Sequence, residues 1–163
     1  MNLTKYTKSN YGFSLVEAVF AIAIIGIMSA LVIGAISNVS LDAHRVMARQ
    51  QQAAVQNALI AWVMSQSRVG STSQVRSLES VRTEYNAQPT TKARFLEFIA
   101  PNPSSPVPEK RVGFLDQTSS DHFLEYTTNS DRLISAALEN SKQYLTLPTW
   151  QSDQFPRVEL VNE

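Results

Sequence analysis

Between Ala18 and Leu41 no residue carries a formal charge, and aliphatic side chains dominate the stretch. At about 1.5 Å per residue a helix over this run is roughly 36 Å long, enough to cross the hydrocarbon of a bilayer. The run therefore reads as a membrane-spanning helix. One carboxylate, Glu17, stands at its very start, where an ionised group in lipid costs several kcal/mol unless a partner compensates it.

The residues ahead of the run, Met1 to Gly12, are polar and basic, with Lys5 and Lys8 placed to hold this end in the cytoplasm. A secretory signal peptide would lose its apolar part on cleavage at a small-residue site, and no Ala-x-Ala site follows at the usual distance. Composition and hydropathy alone support an uncut signal anchor equally well.

The stretch Gly12-Phe13-Ser14-Leu15-Val16-Glu17, continued by Ile22-Ala23-Ile24-Ile25-Gly26-Ile27-Met28, resembles the processing motif of type IV pilins and pseudopilins. The resemblance implies that a prepilin peptidase cuts after Gly12 and that the new N-terminal Phe13 is N-methylated. It further implies that Glu17 pairs, during assembly, with the Phe13 amine of a neighbouring subunit and so sets axial register. Physical reasons accompany each expectation. Glycine before the scissile bond presents no side chain to the enzyme. Cleavage on the cytoplasmic side of the run leaves the anchor attached. A buried carboxylate is tolerable when paired with a cation; the competing reading of Glu17 is a carboxylate reaching the cytoplasmic headgroups. Gly26, Ala30 and Gly34 recur every fourth residue, a stripe for close helix packing, although such residues are also frequent in membrane helices generally. Many pilins carry proline where this chain has Gly34, so local helix melting there is a weaker inference.

Beyond Leu41 the composition changes, and no proline occurs from Met1 to Gln88, so one amphipathic helix continues to about Ser65. Ala43, Met47, Ala54, Ala58, Ala61 and Trp62 are expected on its packed face, with Arg45, Arg49, Gln52 and Gln56 largely elsewhere. Val69 to Ser73, with Gly70, reads as the loop that ends it. Leu78, Val81 and Tyr85 predict a helix within Gln74 to Asn86, and Lys92 to Ala100 a short helix or strand. Pro101 to Pro108 is a proline-rich connector. Strands are predicted at Arg111 to Leu115 and His122 to Thr127, joined across Asp116 to Asp121. A helix capped near Asn129 to Asp131 carries Leu133, Ile134, Ala137 and Leu138, and closing strands fall at Tyr144 to Leu147 and Arg157 to Val161. The expected fold is α+β: a long N-terminal helix, membrane-spanning in its first half, packed against a small mainly antiparallel sheet in the pilin-like manner. The division expected is 1–12 leader, 13–41 transmembrane helix, 42–69 amphipathic continuation and 70–163 globular domain.

The chain offers little chemistry. It has no cysteine, hence no disulfide or thiol nucleophile. His44 and His122 lie in no ligand-spacing motif, and Asp116, Asp121, Glu125 and Asp131 lack the spacing of a calcium loop. No nucleophile elbow or phosphate loop occurs, so neither catalytic residue, metal nor cofactor is expected. Basic and acidic residues balance at fourteen each; removing Lys5 and Lys8 with the leader leaves twelve against fourteen, or −2. The short pairs Lys92 with Arg94 and Lys110 with Arg111 are the nearest approach to a nucleic-acid surface.

The reading is a structural, non-enzymatic subunit, a minor pilin or pseudopilin of a type IV pilus or type II secretion-like filament. Its expected partners are the prepilin peptidase and methyltransferase, other pilin or pseudopilin subunits, an inner-membrane assembly platform and, before assembly, membrane lipid. Its place is the inner membrane, single-pass with a cytoplasmic N-terminus, then the extracytoplasmic filament. The rival readings are a membrane-anchored competence pilin that captures DNA and an uncut single-pass protein.

Overall fold

The computed structural model describes residues 14–66, 76–106 and 108–163. Its elements run α1 (Leu15–Gln66), α2 (Leu78–Ala87), α3 (Thr91–Phe98), α4 (Pro108–Val112), α5 (Gln117–Tyr126), α6 (Ala136–Asn140), β1 (Gln143–Thr146) and β2 (Glu159–Asn162). A long N-terminal helix with a small two-stranded antiparallel sheet makes the fold α+β and pilin-like. The chain divides into two compact units, Met1–Ser40 and Leu41–Glu163.

The first unit holds the apolar part of α1. From Leu15 to Ile36 its large hydrophobic side chains stand exposed, Ile22 at 70% and Leu31 at 71%. Among the described residues α1 is the one helix long and apolar enough to cross a membrane.

The second unit is built on the remainder of α1. Ala48, Val55, Ala58, Leu59, Trp62 and Val63 are its buried face. This face is rotated from the one expected, because Ala43, Met47, Ala54 and Ala61 are exposed. Gln51, Gln52 and Gln56 border the core instead, and their amides satisfy polar groups that would otherwise be stranded there. Gln52 Nε2 donates to Val158 O at 2.9 Å; Gln56 Nε2 donates to Pro156 O at 3.0 Å while its Oε1 accepts from Val158 N at 2.7 Å. Gln51 Oε1 accepts from the Ser135 hydroxyl at 2.6 Å. α1 thus grips the C-terminal segment by side chain to main chain as well as by apolar burial.

Short polar residues start the small helices. Ser77, Thr90, Asp116 and Ser135 each accept a backbone N–H three residues on, those of Ser80, Ala93, Ser119 and Leu138. α2 lies where its spacing predicts, with Val81 and Tyr85 buried, and α3 resolves the choice for Lys92 to Ala100 in favour of a helix. Two of the predicted strands do not form. His122 to Thr127 falls mostly in α5, where the Asp116 cap and the buried residues Ser120 and Phe123, three apart, select the helical period over alternation. Arg111 and Val112 end α4; Gly113 at φ 66° then turns the chain, and Phe114 and Leu115 both donate to Ile99 O rather than to a partner strand. A Cβ at Gly113 would meet Pro101 N at 2.4 Å, so only glycine fits this turn. The helix expected to be capped near Asn129 to Asp131 starts instead at Ser135: Asn129 Oδ1 accepts from Asp131 N in a local turn, and Leu133 forms an antiparallel bridge with Leu145.

The two closing strands are where expected, within a residue or two. β1 and β2 pair antiparallel, Tyr144 opposite Val161 and Leu145 opposite Leu160. Between them the chain loops through Trp150, whose backbone N–H and C=O are held by the Asn86 side chain at 2.9 and 3.0 Å. Trp62, Tyr85, Phe98 and Trp150 form a continuous aromatic cluster in the core, with centroids 4.4 to 6.1 Å apart. The loop expected from Val69 to Ser73, Gly70 included, lies outside the described residues.

Candidate functional site: the helix start and the apolar stripe

Gly12 and Phe13, the expected cleavage and methylation positions, lie outside the described residues. The description begins at Ser14, and there the local chemistry is specific. Ser14 Oγ accepts from Glu17 N at 3.2 Å, and Glu17 Oε2 accepts from Ser14 N at 2.9 Å. This reciprocal pair is a capping box: the serine satisfies one orphan donor of the first turn and the glutamate closes back on the N-cap amide. α1 accordingly starts at Leu15. The signal, Ser-x-x-Glu ahead of an apolar run, is visible in the sequence, where the pilin-like role expected of Glu17 overshadows it. The box occupies one carboxylate oxygen. Oε1 makes no hydrogen bond among the described residues, and Glu17 is exposed, so the carboxylate retains an acceptor edge for a cation.

Gly26, Ala30 and Gly34 lie along α1, and among the described residues nothing beyond the helix's own adjacent backbone comes within 4 Å of a Cβ placed at either glycine. Between them Ser29 folds its hydroxyl back to Ile25 O at 2.7 Å, which hides its polarity inside the helix. The surface offered to a neighbour or to lipid is thus apolar and, at the glycines, flat to the backbone.

Away from this helix the residues considered for metal or nucleic acid are dispersed or engaged. Asp116 caps α5; the Ser119 backbone N–H bonded to its carboxylate holds it below the ordinary carboxylate range. Asp121 accepts from Gln117 Nε2 at 2.7 Å. His122 stacks edge-on to Tyr126, and among the described residues no three His, Asp or Glu side chains gather as a metal site. Arg94 is buried, donating to Leu147 O and lying 5.1 Å over the Tyr85 ring. Lys92 donates to Thr127 O, Lys110 pairs with Glu97, and Arg111 donates to Ser105 O.

Comparison with known families matches residues 7–36 to the prokaryotic N-terminal methylation motif. That motif is the signature of type IV pilins and pseudopilins, and this chain carries it. The match takes in Gly12, Phe13, Glu17, Gly26, Ala30 and Gly34. It supports a pilin-like substrate of prepilin peptidase that assembles with other pilins, and with the exposed apolar helix it suggests membrane anchoring. No curated protein and no solved structure matches the chain significantly.

Proposed function

We propose that the chain is a minor pilin or pseudopilin, inserted in the inner membrane as a precursor with its N-terminus cytoplasmic. Prepilin peptidase cuts it after Gly12, Phe13 is methylated, and the product enters a type IV pilus or type II secretion-like filament through α1. In this reading 13–41 crosses the membrane, 42–69 continues the helix, and 70–163 is the outward globular domain, with no enzymatic activity of its own. The observation that carries the proposal is the methylation motif over residues 7–36, whose described part from Leu15 is a helix with its large apolar side chains exposed.

Glu17 then has two roles that chemistry can separate. Its Oε2 closes the capping box, and its charge, on the free edge, receives the Phe13 amine of the subunit already assembled. Glu17→Ala loses both roles; Glu17→Gln keeps a side-chain acceptor for the Ser14 amide but loses the charge. Both variants are expected to be cleaved, and both to be incorporated into filaments at least tenfold less than wild type. Wild-type incorporation of Glu17→Gln would overturn the charge-pairing role; wild-type incorporation of Glu17→Ala would overturn any assembly role. The DNA-capture alternative predicts salt-dependent DNA affinity. The engagement of Lys92, Arg94, Lys110 and Arg111 in intramolecular bonds favours the filament reading.

A further inference from the structure

The second unit contains a cavity of about 380 Å³ between the end of α1, α2, α3 and the turn after α4. This lies within the span of small-molecule sites, roughly 300–1,000 Å³. Phe114, half-buried, supplies aromatic surface inside it, over a floor formed by the buried Trp62 and Phe98. Two ion pairs stand in its walls. Arg76 bridges Glu84 at 2.5 Å and Gln66 Oε1 at 2.7 Å, and Lys110 pairs with Glu97. All four charged side chains are between 37% and 41% exposed, so their remaining donors and acceptors are open to a ligand.

The wall formed by the end of α3 and the turn after α4 is fixed before anything binds. Phe114 N and Leu115 N donate to Ile99 O, Asn102 N donates to Lys110 O at 2.7 Å, and Gly113 is locked against the Ala100–Pro101 backbone. A cavity held by main-chain bonds does not spend binding energy on ordering itself. Among the described residues its lining charges sum to zero and each has a partner, so an anion or a cation would have to break a pair to bind. A neutral molecule bearing several hydroxyls can accept from the guanidinium and ammonium and donate to the carboxylates with both pairs intact. Its C–H surface can lie against the half-buried Phe114 ring.

We propose that this cavity is a binding site for a neutral hydroxylated ring, a sugar, free or as the terminal unit of a glycan. The inference stands on the cavity alone and not on filament assembly. The test is ligand-observed saturation-transfer NMR on the full chain in a sugar-free detergent. The probes are glucose, galactose, N-acetylglucosamine and maltose, with methyl glucoside and methyl galactoside standing in for a chain-terminal unit. Saturable transfer to at least one probe is expected, with affinity falling at least tenfold in Phe114→Ala and in Glu97→Gln. Phe155→Ala, which lies in a different groove, should bind as wild type. Glu97→Gln alters a half-exposed side chain and preserves a readout if Phe114→Ala does not fold. Transfer to free sugars but not to methyl glycosides assigns a free ligand, and the reverse assigns a glycan end. Absence of transfer to every probe, or undiminished binding in the folded variants, would overturn the proposal.

Discussion

Tyr85 carries the most direct residue-scale test of the core. It is fully buried within the aromatic cluster, and its hydroxyl has no hydrogen-bond partner among the described residues. Burial pushes the phenol well above its ordinary range, and the Arg94 guanidinium beyond its ring only partly offsets this. An unsatisfied buried polar group is a cost that its removal relieves, whereas removal of the ring leaves a cavity. Tyr85→Phe is therefore expected to be neutral or to stabilise by up to about 1 kcal/mol. Tyr85→Ala is expected to cost about 3–5 kcal/mol. Chemical denaturation measures both, and a clear loss in Tyr85→Phe would mean that the hydroxyl has a partner. Asp116 makes a second prediction. Its folded-state pKa lies below the ordinary 3.8, so the stability it contributes is present above that pH and is lost as pH falls through the depressed value. Asp116→Asn retains a capping oxygen without the titration, so its melting temperature should fall less steeply than wild type below pH 4. Parallel curves would contradict that assignment. Residues such as these were legible only in part: Asp116 stands three places before the amide it caps, but its position was read as a loop between strands.

At the scale of elements, what could be read depended on which force selected the structure. α2 was legible because Val81 and Tyr85 repeat at four residues, and β1 and β2 because compact apolar runs close the chain. α5 was not, because Phe123-Leu124 beside Tyr126 mimics a strand until the contacts of Ser120 and Phe123 are known. The buried face of α1 was misplaced for a related reason. Apolarity located Ala58 and Trp62, but Ala43 and Ala61 count as apolar without having to be inside, and glutamine counts as polar even where it serves a buried backbone. The Gln56 amide tests that explanation. Gln56→Ala leaves Val158 N–H and Pro156 C=O without their partner and is expected to cost about 1–3 kcal/mol in chemical denaturation. A change under about 0.5 kcal/mol, the scale of an ordinary surface substitution, would show that the amide grip is incidental.

For the whole molecule, the chain joins a helical segment whose large apolar side chains are exposed to a unit that buries its own core. The sequence exposed this division through a single discontinuity, the end of the uncharged run at Leu41 followed by Asp42. The proposed assembly end is local in sequence, through Gly12, Phe13 and Glu17. The sugar-sized cavity was invisible in the sequence, because Trp62, Glu84, Glu97 and Phe114 meet only after four helices have packed. The central claim concerns the N-terminus, and intact-mass and N-terminal sequencing of the chain purified with and without prepilin peptidase test it most directly. N-methylated Phe13 is expected as the first residue when the peptidase is present and Met1 when it is absent. Met1 retained in both, or cleavage at any bond other than Gly12–Phe13, would contradict it.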